Sequence, residues 1–183
     1  RIDGHASWAN TAAMKKASKS LDGDWQPDGG RIGRVGTRAT GVLIDGAQPL
    51  VGSAVPPRTP AQTRELYRRA FKELVAQGLT GVHDAGVSLD DFRVLQQMVK
   101  EGDIPLRLYE MADGNHAALE WLCMQGGQWS DASGRLRMHT VKLYMDGALG
   151  SRGAALLQDY NDDHGNRGIF VTSPEDYRVA VYK

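Results

Sequence analysis

From Thr59 onward, segments with helical periodicity alternate with short apolar runs, and this alternation constrains the fold more than any other feature of the chain. Thr59-Pro60-Ala61-Gln62 combines a threonine N-cap, a proline at the first helical position and a glutamine three residues after the cap, which makes a capping box. Leu66, Tyr67, Ala70, Phe71, Leu74 and Val75 then recur at three-and-four spacing, and Gly78 supplies a left-handed stop. Leu79 to Ala85 follows at once as a buried strand. Ser88 to Glu101 repeats the helical scheme, with Ser88 as cap, Phe92, Leu95, Met98 and Val99 as the apolar face and Gly102 as stop. Ile104 to Met111 is the next strand, His116 to Met124 a short helix with Leu119, Leu122 and Cys123 inward, and Met138 to Met145 a third strand. Ser173-Pro174-Glu175-Asp176 caps a last helix that the end of the chain cuts off. Such an order builds a parallel sheet with helices outside it, so the expected class is α/β.

The first 58 residues have a different pattern. Ala6 to Ala17 suggests a helix with Trp8, Ala12 and Ala13 on its apolar side, and Arg31 to Val35 with Thr40 to Ile44 suggests a two-stranded ribbon turning at Gly36-Thr37. Pro49 to Pro60 is a linker rich in Pro, Gly and Ser. The expectation is a single domain over residues 1–183, with a helix and ribbon at 1–58 and βα units at 59–183. Basic and acidic residues balance at 22 each, which argues against a basic nucleic-acid binder. No apolar run approaches the roughly 20 residues that span a bilayer, so no membrane partner is expected. A single Cys123 excludes an internal disulfide framework and a cysteine-rich zinc site, and points to a reducing, cytoplasmic setting. A chain that opens at Arg1 and stops at Lys183 is expected to be a section of something longer.

The five histidines, His5, His83, His116, His139 and His164, include no pair at the i, i+2 or i, i+4 spacing that places imidazoles around one metal. The most informative stretch runs from Val141 to Gly153. With period two, Val141, Leu143 and Met145 share one strand face and Lys142, Tyr144 and Asp146 the other. The second face would put Lys142 and Asp146 inward near the strand's C-terminal end, where α/β proteins bind ligands. A buried lysine is costly unless paired, neutral or modified, so Lys142 either serves chemistry or is paired with Asp146 or Asp84 for structure. The glycine-rich turn that follows lacks both the P-loop and the dinucleotide fingerprint, but Arg152 within it could clamp an anionic group. Of His83 and Asp84, period two lets only one face the site, and Asp84 is the favoured choice, with a loop hydrogen bond as its alternative. His5 stands on a loop before the first helix, where Asp3 or Ser7 could simply be the cap.

Asp3-Gly4-His5 with Trp8 and Asn10, Thr40-Gly41-Val42-Leu43, the run Gly78 to Gly86 and above all Val141 to Arg152 together resemble amidohydrolase family 3, the YtcJ-like metal-dependent hydrolases. The resemblance covers essentially the whole chain in consistent order. It implies a (β/α)8 barrel that hydrolyses C–N bonds, often amides, of small molecules with one or two divalent metals, zinc being the expected one. In that family an early His-x-His, a lysine that can be carboxylated to bridge two metals, two later histidines and a late aspartate form the site. Lys142 matches the lysine, as metal ligand and catalytic residue, and the other ligands have no counterpart in these residues. Asp146 is the second catalytic candidate, while His5, Asp84 and Arg152 are candidates for substrate binding. A complete barrel takes about 250 residues, so the chain is expected to be a central section, a partial barrel that by itself binds zinc weakly and without defined stoichiometry and associates into homo-oligomers through exposed edges. The alternatives are a non-catalytic α/β module binding small molecules and a folded remnant.

Overall fold

The computed structural model describes residues 1, 4–114 and 117–182. The chain divides into two compact units, Arg1–Pro56 together with Tyr144–Lys183, and Pro57–Leu143.

The first unit opens with strand β1 (Ala6–Trp8) and a single helical turn, α1 (Thr11–Met14). Strands β2 (Gly30–Val35) and β3 (Arg38–Asp45) form the expected ribbon, turning at Gly36-Thr37 with Gly36 at φ +56°. The expected helix over 6–17 is therefore a strand followed by a short turn. Main-chain pairing decides this: β1 runs antiparallel to β3 with Trp8 opposite Val42, and the Ala9 N–H continues the ladder to the Gly41 carbonyl at 2.9 Å. Asn10 then caps α1, its Oδ1 accepting from the Ala13 N–H at 2.9 Å. Trp8, expected on an apolar face, is 84% exposed on this edge strand. The sheet order is β1-β3-β2, and Leu21, Ile32, Leu43, Ala47 and Val51 form the small core of this unit. Within the expected linker, Pro49–Gly52 closes into a further turn, α2.

The second unit begins with α3 (Pro60–Ala76). Its capping box forms as the sequence specifies: Gln62 N–H donates to Thr59 Oγ1 at 3.3 Å and Thr59 N–H to Gln62 Oε1 at 2.9 Å. Strand β4 (Gly81–Val87), helix α4 (Leu89–Lys100), strand β5 (Arg107–Asp113), helix α5 (Ala117–Met124), the short strand β6 (Trp129–Ser130) and strand β7 (Leu136–Lys142) follow. His116, the expected start of α5, lies outside the described residues. Strands β4, β5 and β7 pair in parallel and β6 adds antiparallel to β7, giving the order β4-β5-β7-β6. Each strand sits two to three residues from its expected place, since Leu79-Thr80 and Ile104 to Leu106 are approach segments, and Leu136 and Arg137 already pair with β5. Phe71, Phe92, Leu95, Met98, Leu106, Leu108, Leu122, Leu136 and Met138 form the core between the sheet and its helices. Phe92 packs on both Trp121 and Trp129, which anchors the unexpected strand β6 to this layer. The architecture is mixed α/β, and among the described residues the parallel strands form an open sheet rather than a closed barrel.

The first unit resumes at Tyr144. A single 3-10 turn, Leu149–Ser151, and an antiparallel bridge between Asp146 and Phe170 order the loop, and α6 (Pro174–Val181) ends the unit, capped by Ser173. Among the described residues, no helix is long and apolar enough to cross a membrane.

Candidate functional site

Strand β7 carries Lys142, and its orientation depends on a bulge. Leu136 and Met138 are buried toward the helices while Arg137 and His139 are exposed on the opposite face. Glu110 pairs with Met138 but Met111 pairs with Thr140, so His139 is the extra residue and the alternation resets after it. Val141 consequently packs on the core, while Thr140 lies on the opposite face, its Oγ1 2.8 Å from the Tyr109 hydroxyl. Lys142, two residues further on, shares that face at the C-terminal end of the strand, half-buried and opposite Asp113.

The strand stops at Lys142, so the expected common face of Lys142, Tyr144 and Asp146 does not form. Asp146 belongs to the other unit, where its backbone bridges to Phe170 and its Oδ2 accepts from the Ala155 N–H at 2.9 Å. These bonds take the main chain out of the ladder that the alternation argument requires.

The expected choice between His83 and Asp84 is reversed. His83 stacks on Tyr109 with ring centroids 4.9 Å apart, and Tyr109 meets the edge of His139 at 6.0 Å, so His83 shares the face of Lys142. Asp84 points with Val82 toward the helices, in register with Glu110. Glu110 is 1% exposed, and no sequence pattern singled it out. Period two does place it with Leu108 and Ala112 on one strand face, and that is the face the helices bury. Burial, reinforced by the nearby Asp84 charge, pushes the Glu110 carboxyl up to about 8. Burial also raises Asp84, with the Asp91 charge adding to it. Asp91 itself pairs with Arg58 at 3.4 Å and accepts from Thr63 Oγ1 at 3.2 Å, and these residues line a cleft of about 320 Å³ with Tyr67 and Asp84. Burial raises the Tyr67 hydroxyl strongly, which keeps it a neutral donor.

In the first unit, His5 Nδ1 lies 2.6 Å from Oδ1 of the buried Asp45. Arg152 sits at φ +59° and forks onto Asp162, with Nε to Oδ1 at 3.0 Å and Nη2 to Oδ2 at 2.5 Å. Its anionic partner in this structure is thus a side chain of its own loop. The glycine at 147 is required by close approach, since a Cβ there would stand 2.7 Å from the Gly153 carbonyl carbon. Of the five expected site residues, His5, Asp146 and Arg152 belong to one unit, and Lys142 and Asp84 to the other. Among the described residues no group of three or more His, Cys, Asp or Glu side chains is arranged to hold a metal ion.

Comparison with known proteins places these features in a family. The model of the amidohydrolase family matches residues 1–181. The putative amidohydrolase YtcJ of Bacillus subtilis (strain 168) is 31% identical over 190 residues, covering all of this chain and 35% of that protein. Protein LONG AFTER FAR-RED 3 of Arabidopsis thaliana is 32% identical, over 96% of this chain and 32% of its own length. An N-substituted formamide deformylase of Arthrobacter pascens is 28% identical, over 97% of this chain and 34% of its own. The crystal structure of an uncharacterized metal-dependent hydrolase from Pyrococcus horikoshii OT3 superposes with a TM-score of 0.71 at 23% identity, covering 97% of this chain and 34% of that one. A second, from Pyrococcus furiosus, gives 0.70 at 20% identity, over 97% and 36%. The chain thus spans about a third of the length of the relatives it matches. Matched from its first residue almost to its last, it belongs to the amidohydrolase family.

Proposed function

We propose that the whole protein is a metal-dependent hydrolase of small molecules with C–N bonds of the amide type, and that this chain contributes part of its site. The family match over residues 1–181 carries the reading, and the name of the Arthrobacter pascens relative, an N-substituted formamide deformylase, supports an amide-type bond. Lys142 is the residue we assign to a divalent metal, with zinc as the expected ion. Its position at the C-terminal end of a parallel strand, on the face opposite the helices, suits a ligand site. To serve as an anionic ligand the neutral ε-amine adds to carbon dioxide and releases one proton, giving a carbamate. Among the described residues no group of three or more His, Cys, Asp or Glu side chains is arranged to hold a metal ion, and no bond-breaking step is assigned to them. Around the substrate, His5 and Asp146 offer polar groups. Arg152 would have to exchange Asp162 for an anionic substrate group.

Full-length protein tests the assignment. Lys142→Ala should lower both bound zinc and turnover of an N-alkylformamide by about 10- to 100-fold or more, and Lys142→Arg should not restore them, because a guanidinium cannot form the carbamate. Normal zinc content and turnover in Lys142→Ala would make the lysine structural.

A further inference from the structure

The carboxylate of Asp45 is almost fully enclosed, its side chain 3% exposed, and its two oxygens have different surroundings. Oδ1 lies 2.6 Å from His5 Nδ1. Among the described residues Oδ2 is buried without a hydrogen-bond partner and faces Gly153, where an added Cβ would come within 3.1 Å of it. The protein thus buries a carboxylate and commits it to one imidazole. Such burial is costly unless the charge is met by a donor.

The backbone shows that this placement is enforced. Asp45 has φ +44°, in the left-handed region that few side chains enter. A residue persists there only when its surroundings over-determine it. Its N–H donates to the His5 carbonyl at 3.0 Å, and its carbonyl accepts from the Gln48 N–H at 2.9 Å. The next residue is clamped as well: Gly46 N–H donates to the Gly29 carbonyl at 2.9 Å, and a Cβ on Gly46 would stand 2.5 Å from the Asp28 carbonyl oxygen. His5 and Asp45 are therefore joined twice, through the main chain and through the side chains.

We propose that Asp45 is a positioning residue that holds His5 as the Nδ1–H tautomer and fixes its ring orientation, so that Nε2 acts as an acceptor toward a donor group of the substrate. An ionised carboxylate can only accept, so a contact this short puts the proton on Nδ1. In a neutral imidazole the other nitrogen is then the basic one. The inference rests on the reading of His5 as a substrate-binding residue. It adds Asp45, which neither the sequence pattern nor that reading supplies.

Nitrogen-15 NMR of the full-length protein, with His5→Gln to assign the ring, tests it without any substrate. In the neutral ring, His5 Nδ1 should show the shift of a protonated nitrogen and Nε2 that of an unprotonated one. Asp45→Asn, whose amide can donate to Nδ1, should increase the Nε2–H tautomer and lower kcat/KM for an N-alkylformamide about 10-fold or more. A wild-type His5 found as the Nε2–H tautomer overturns the proposal, whether or not the asparagine variant folds. Unchanged turnover in His5→Ala overturns the substrate-binding reading beneath it. Lowered turnover in His5→Ala, with wild-type tautomer and turnover in Asp45→Asn, overturns the role of Asp45 alone.

Discussion

Glu110 binds a proton more tightly in the folded protein than in the unfolded chain, because its carboxyl is enclosed by the core and faces a second carboxyl, Asp84. The folded state keeps that proton up to about pH 8, whereas the unfolded chain releases it near the ordinary value of 4.5. Between those values the native state holds more protons, so stability is full below the lower one, falls as pH rises through the window and levels off above about 8. Asp84, raised for the same reason, acts in the same direction. Each unit of separation is ~1.4 kcal/mol, so the loss should amount to a few kcal/mol. Glu110→Gln, which cannot ionise, should flatten this dependence and melt higher than the wild type at alkaline pH while costing little at mildly acidic pH. Melting curves across the window check it, and parallel profiles for the two proteins would show that the carboxyl does not titrate there.

Helix α3 is set by its own sequence, and its N-terminus can be tested as an isolated device. Thr59→Ala removes the acceptor for the Gln62 N–H while leaving the proline at the first helical position in place. It should cost about 1 kcal/mol, as N-cap losses usually do. Denaturant unfolding measures this, and an unchanged midpoint would mean that packing of Phe71 alone starts the helix. Strands behave differently. The first strand was legible only as an amphipathic stretch, because three residues carry too little pattern to separate a strand from a helix, and what settles them is the open edge of β3 beside them. The bulge at His139 has no local signature either. It exists because β5 and β7 must stay paired on both sides of it.

Among the described residues, β4 is the last strand on its side of the parallel sheet, and His83 and His139 are exposed on the face away from the helices. Unpaired strand edges and open sheet faces invite association. We expect the isolated chain to form a dimer or larger species in light scattering, and a clean monomer over a wide concentration range would show that these edges are protected. The family and the α/β class were legible in the sequence, as were the boundaries of α3 and α4 and the inward face of Lys142, since caps, helical periodicity and glycine stops act within a few residues of themselves. Asp146 leaving the strand, His83 replacing Asp84 on the inner face, Glu110 in the core and Asp45 beneath His5 were not legible. Each depends on contacts with elements far away in sequence, which decide where a strand leaves its ladder and which of its two faces meets the helices.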